Sequence, residues 1–200
     1  MKYYIALLFT ISVSISCFGQ DYKSQIAAYQ DKYKNDFLTD ESSPLKKDDL
    51  QFLRFFDADS TYRVQAHVEL QPNAAAFIIP TFSGAGQEYI AYALLKFTIK
   101  GKPQQLTIYR STRLSKIPQY ADYLFLPFTD ETNGKETYGG GRYIDMRTGD
   151  FKNGTVTIDF NKAYNPYCAY SSGYNCPKPP GENNLSTAIP AGEKIYGKQH

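Results

Sequence analysis

Histidine and cysteine are scarce in this 200-residue chain, tryptophan is absent, and neither sign of charge dominates. The two histidines, His67 and His200, do not furnish a metal centre. Cys168 and Cys176 are separated by seven residues, wider than the two-to-four-residue spacing of typical zinc ligands. The residues imply no metal and no other cofactor. With 22 basic against 20 acidic residues, the total charge gives no surface that would hold nucleic acid or anionic lipid by electrostatics. After the first twenty residues no apolar run is long enough to span a bilayer, and there is neither an internal repeat nor a linker. What remains is one globular unit, 42% hydrophobic, whose aromatic content rests on 18 Tyr and 13 Phe. With 14 Gly and 11 Pro as breakers, that composition leans toward sheet.

Residues 1–20 have the three-part form of a secretory signal: Lys2, an apolar stretch, and a small-residue end at Ser16–Gln20. Cleavage near Gly19 or Gln20 leaves a mature chain of net charge +1 at 21–200. The competing reading is a lipoprotein signal acylated at Cys17, with Ser16 suitably small before it, although Ser14 stands where a branched apolar residue is usual. Either way the protein is exported, to the periplasm or beyond, and no span is expected in the mature chain. Export changes the meaning of Cys168 and Cys176: in an oxidising space these two thiols can pair. A Cys168 nucleophile activated by His67 would need a free thiolate, which such a space disfavours.

Tyr22, Ile26, Tyr29, Tyr33 and Phe37 recur at steps of three and four, the apolar face of an amphipathic helix over 21–38 with Asp21 as N-cap. Ser43-Pro44 reads as a cap followed by Pro at the first position of a short second helix, ending near Leu50 or Phe52. Both helices are expected to pack against a sheet. From Thr61 the period falls to two, with Tyr62, Val64, Ala66 and Val68 alternating with polar residues. Further strands are expected at 77–82, 88–99, 105–110, 123–128, 137–145 and 155–160, separated by Gly- and Asn-rich turns. Short strands without intervening helices predict a mainly-β fold, an antiparallel barrel or sandwich carrying the N-terminal helix. Residues 165–192 must form a long loop. Tyr164, Tyr167, Tyr170 and Tyr174 can lay it on the sheet, four prolines stiffen it, and a Cys168–Cys176 bridge would close a ring worth about 2.6 kcal/mol by chain entropy.

The ordered stretches LPFTDETNGKETYGGGRYIDM, TIDFNKAYNPYCAY, CPKPPGENNL and IPAGEK, with SPLKKDDLQFLRFFDADSTYRVQAHVE upstream, resemble a bacterial and archaeal family of uncharacterised proteins, the domain of unknown function 1684. Lys178 departs from the apolar residue that family tends to have between the prolines. The resemblance implies a shared fold and a shared site, and no activity.

Two groups of residues bear on chemistry. In Glu136 to Tyr143, the triplet Gly139, Gly140 and Gly141 would permit close approach of a ligand or of another segment, and Arg142 offers a planar fork for a carboxylate or phosphate. It is not a phosphate loop, lacking the GK[ST] ending and the following helix. The alternative is an internal ion pair of Arg142 with Glu136, Asp145 or Asp159. The second group is Asp159, Asn161, Tyr164 and Asn165, with Glu182 and Asn183 beyond the Cys loop. Three readings follow: recognition of a small polar or anionic ligand by Tyr138, the glycines, Arg142, Tyr143, Asn161, Tyr164 and Asn165; a hydrolase-like enzyme using Glu136, Asp159 or Glu182 as acid and base; and a structural envelope protein in which these groups satisfy one another. The first two require Arg142 and the 165–192 loop to converge on one concave surface.

Overall fold

The structure, a computed structural model, describes residues 16–198, so most of the leader at 1–20 lies outside the described residues. Helix α1 runs Ser16–Thr39. It begins upstream of Asp21, which therefore caps nothing and instead accepts a bond from the Gln25 amide one turn on, at 2.8 Å. Tyr22, Ile26 and Phe37 are buried, as their spacing requires. The helix ends where the Asp40 carboxylate takes the Ser42 N–H at 2.8 Å, a local turn that competes with further helix. No helix among the described residues is long and apolar enough to cross a membrane.

The second helix differs from expectation. The Ser43 hydroxyl bonds both the N–H and the carbonyl of Leu45, so it closes its own turn instead of capping a helix at Pro44. The helical turn comes later, as a 3-10 segment at Lys47–Phe52.

Seven strands follow: β1 (Arg63–Leu70), β2 (Ala76–Pro80), β3 (Gly86–Ile99), β4 (Lys102–Ser111), β5 (Tyr123–Phe128), β6 (Arg142–Arg147) and β7 (Thr155–Asp159). They form one antiparallel sheet in the order β6-β5-β4-β3-β1-β7, with β2 on β3, curled into a half-barrel. Strand β3 is long enough to pair with β2 through its first half and β1 through its second, and its register shifts between Ala91 and Ala93, the irregularity that lets a sheet bend. The inner face is aliphatic: Ala66, Leu95, Leu106, Ile108, Leu124, Leu126, Ile144, Val156 and Ile158 make the main core. The opposite face carries a second, mostly aromatic cluster of Ile79, Tyr89, Tyr109, Phe125 and Tyr143. Edge strand β6 is joined at one point to the segment that follows β7, where Tyr143 and Tyr164 exchange backbone bonds of 2.9 and 3.0 Å.

The strand expected at 137–145 starts only at Arg142. Asp130 takes both the N–H and the hydroxyl of Thr132, and the Thr132 carbonyl accepts from the amides of Lys135, Glu136 and Thr137. That turn consumes the backbone groups a strand would need.

The tail after Asn165 contains no strand and is fastened at many points. Strands β4 and β5 share a single ladder pair, Tyr109 with Phe125. Below it the Asn183 side chain takes the place of a strand residue: its oxygen accepts the Thr107 N–H at 2.7 Å, and its nitrogen donates to the carbonyls of Thr107 and Pro127 at 2.8 and 2.6 Å. Leu185, Ile189 and Ala191 then enter the main core. Helix α1 packs on this tail and on the turn after β7, not on a sheet face: Tyr22 donates to Asp159 and Tyr29 to the Lys162 carbonyl.

Candidate functional site

Arg142 and Tyr143 open β6 and point to opposite faces, because successive side chains on a strand alternate. Arg142 shares the parity of Ile144 and Met146 and is fully buried. Its guanidinium meets the Asp130 carboxylate at 2.8 Å and donates to the carbonyls of Ile189, Ala191 and Glu193, with Phe128 beneath it. Burial pulls its pKa down, and the charges of Asp130 and Glu193 push it back. The expected internal pair therefore exists, but with Asp130, which had no place among the expected partners.

The glycines are approached by the protein itself. A side chain at Gly140 would collide with Tyr138 and Phe82, and one at Gly141, whose φ is +90°, with Pro179 and the Phe128 carbonyl. Tyr138 packs on Phe82 outside the cleft described below, and Lys178, the residue that departs from the family pattern, lies over that Phe82 ring. Asn161 is buried and bonded to Asp59, Tyr22 and Asp159, and Asn165 is buried and bonded to Glu193 and Lys194. These residues, expected on a ligand, instead tie segments together.

The three acid/base candidates are dispersed. Asp159 is held by Tyr22 and Asn161 beside a cavity of about 400 Å³ between β6 and β7. Glu182 accepts from Tyr109 and borders another cavity near β3 and β4. Glu136 is exposed in the turn before β6 and lines neither.

Convergence does occur on the other face of β6. There Tyr143 and Asp145, with Phe125 and Tyr123 of β5 and Tyr89 of β3, floor a cleft of about 720 Å³. Helix α1 supplies one wall through Tyr29, Tyr33 and Phe37, and the tail supplies the other through Tyr164, Tyr167 and Tyr174. The rings brace one another: Phe125 meets Tyr143 edge-on at 4.7 Å, and Tyr164 stands perpendicular to Tyr143 at 5.8 Å. The tail wall is a closed ring, since Cys168 and Cys176 are joined as a disulfide. Backbone bonds from Phe82 to Cys176 and from Lys178 to Pro80 seat that ring on the edge of β2.

The eight tyrosines that line the cleft all give their hydroxyl protons to the protein. Tyr123 and Tyr164 donate to Asp145 Oδ1 at 2.7 and 2.6 Å. Tyr29 donates to Lys162, Tyr33 to Glu193, Tyr89 to Gln87, Tyr143 to the Pro177 carbonyl, Tyr167 to Asp40 and Tyr174 to the Ser42 carbonyl. Burial pushes the Tyr123 and Tyr164 hydroxyls well above their usual pKa, and the Asp145 charge adds to the effect. Asp145 is reached by water, yet protein surrounds it on most sides. That crowding raises its pKa, against the pull of the two hydroxyls and of Arg147. Its second oxygen, Oδ2, has no protein partner among the described residues, while Lys162 sits over the Tyr29 ring and Arg147 pairs with Asp122.

Of the residues expected from the sequence to bind a ligand, Tyr143 and Tyr164 line this cleft. Asp145 entered only as a partner for Arg142. The signal that would have found it was present, since Tyr143 and Asp145 alternate with the apolar Ile144 and Met146.

A second carboxylate lies behind the α1 wall. Glu193 is fully buried with no ion pair on its carboxylate among the described residues, and takes bonds from the Asn165 amide, Tyr33 and Tyr170. Burial lifts its pKa to about 7, against the pull of those donors.

Comparison with known proteins gives a family and a structure. A family profile described as a protein of unknown function, DUF1684, matches residues 48–194. The solution NMR structure of an uncharacterized protein of Haloarcula marismortui is 33% identical in sequence, covering 88% of this chain and 95% of that one, with a TM-score of 0.67. No curated protein matches the chain.

Two predictions concern the buried charges. Asp130→Ala leaves Arg142 sealed without its counter-charge and should cost about 3–5 kcal/mol in urea denaturation, whereas Asp122→Ala, which breaks the exposed pair with Arg147, should cost less than about 1 kcal/mol. A smaller loss for Asp130→Ala would show that the three carbonyls alone hold the guanidinium. For Glu193 the folded pKa is the higher one, so its contribution is complete below pH 4.5 and is lost as pH rises to about 7. The stability of the wild type should fall by about 3 kcal/mol across that window relative to Glu193→Gln. Parallel pH profiles for the two proteins would refute this assignment.

Proposed function

The chain belongs to the DUF1684 family of proteins of unknown function, and from that footing we propose that it is an exported protein that binds a small polar ligand in the tyrosine-lined cleft. The cleft itself carries the reading. At about 720 Å³ it falls inside the range of roughly 300–1,000 Å³ typical of small-molecule sites. Its walls are fixed before any ligand arrives, because each lining hydroxyl is already bonded and the tail wall is closed by a disulfide. A preformed site loses less conformational entropy on binding. Polar specificity rests on Asp145, which borders both this cleft and the smaller cavity between β6 and β7 and has one oxygen without a protein partner among the described residues. Export is supported by the leader-like 1–20 segment and by the paired cysteines, which suit an oxidising space.

A thermal-shift screen of sugars, amines, nucleotides and organic acids tests the binding reading. A ligand at about a hundred times its Kd should raise the melting temperature by roughly 5–10 °C. Leu114→Trp, which fills the cleft from its rim without removing a polar group, should abolish the shift. A shift that persists in this variant would place binding elsewhere, and no shift with any compound would leave an envelope protein of structural role. Intact-mass measurement of the protein secreted from the full-length gene tests export. Loss of residues 1–20, or a diacylglyceryl adduct on Cys17, is the expected result, and an unprocessed cytoplasmic chain would refute it.

A further inference from the structure

The donor and acceptor balance of the cleft narrows its ligand. All eight lining hydroxyl protons point into the protein, so the tyrosines show a ligand their ring faces and oxygen lone pairs. The Gln87 amide is also engaged, donating to the Asn175 carbonyl and accepting from Tyr89. Among the described lining residues this leaves the Asn175 amide nitrogen and two ammonium groups as side-chain donors. Lys32 spends one N–H on Asp36 at 2.6 Å and Lys162 lies over the face of Tyr29, so both charges are partly balanced while further N–H groups stay available. On the acceptor side stand three carboxylates, Asp36, Asp40 and Asp145, and Asp145 keeps one oxygen open.

An anion in this cleft would meet three carboxylates against two ammonium groups, a net negative lining. A neutral polyol would find acceptors for its hydroxyl protons and few donors for its oxygens. A cation with N–H groups fits both features: its protons suit Asp145 Oδ2 and the tyrosine oxygens, and its charge suits the ring faces. We infer that the cleft recognises a small protonated amine, with the ammonium group on Asp145 Oδ2 and its carbon frame against Tyr143, Tyr164 and Phe125. This rests on the cleft being the binding site, and reverses the sign of the ligand charge that Arg142 suggested in the sequence.

The assay is calorimetric titration of the mature, disulfide-bonded protein with matched pairs: glucosamine against glucose, putrescine against butanediol, and gluconate as the anion. At least one amine should bind at least about tenfold more tightly than its neutral partner, and gluconate should not bind. Asp145→Asn keeps the size of the side chain and an oxygen for Tyr123 and Tyr164, and should weaken the amine about tenfold or more, well beyond any change for its neutral partner. Should that variant misfold, the wild type supplies a second measurement, since amine affinity must fall as sodium chloride is raised whereas that of a neutral ligand does not. Equal affinities within each pair, or amine binding indifferent to both Asp145→Asn and salt, would overturn the amine assignment while leaving the cleft as a site. Amine binding that survives Leu114→Trp would overturn the cleft as well. Failure of every amine to bind at millimolar concentration, with another compound stabilising the protein through the cleft, would overturn the amine assignment alone.

Discussion

Arg142 and Asp130 pair out of reach of water and join β6, the turn before it and the end of the tail. A guanidinium removed from water must find acceptors for its protons, and here one carboxylate and three carbonyls of the segment Ile189 to Glu193 serve its two terminal nitrogens, while Nε has no partner among the described residues. The same Asp130 binds the Ile189 amide and closes the turn that ends in β6. One buried charge pair thereby fixes where β6 starts, how the chain reaches it, and where the tail re-enters the core. Without this anchor the segment Ile189 to Glu193 would lose its polar hold on β6.

Strand alternation carries that constraint to the other face of the sheet. Once Arg142 faces inward, Tyr143 and Asp145 must face outward beside Phe125. The tail is held under the barrel by Arg142 and Asn183, and it crosses the outer face with Tyr164, Tyr167 and Tyr174 over the same strand. Anchor and cleft are built from neighbouring residues of β6, and rigidity on one side becomes preorganisation on the other.

Periodicity made the helix and β1 legible, because a change of period from about 3.6 to two is a strong local signal, and Gly- and Asn-rich turns marked off the other six strands. The points of failure have one cause. Residues 130–141, the Ser43 turn and the start of α1 are decided by side chain-to-backbone bonds and distant contacts that leave no period behind. Site residues suffered more. Arg142, Asn161 and Asn165 have the composition of a polar binding surface, and sequence composition does not distinguish a group facing water from one buried among its acceptors. The glycine triplet did mark close approach, but by Phe82 and Pro179. The expectation that Arg142 and the tail converge was met inside the barrel, while the concave surface formed on the opposite face around Tyr143, Tyr164 and Asp145.

Asp145 and Glu193 show what separates a structural carboxylate from a candidate site. Both are crowded by protein, both have raised pKa values, and each receives two tyrosine hydroxyls. Perturbed titration therefore does not distinguish them, since burial acts on both. Their remaining lone pairs do. Both oxygens of Glu193 are taken, and no water reaches it, so the group can only join α1 to the tail. Asp145 has its hydroxyls gathered on Oδ1 and water within reach. Two phenols that hold one oxygen orient the other without occupying it, which leaves an acceptor fixed in direction at the floor of a cleft whose tyrosine protons are already engaged.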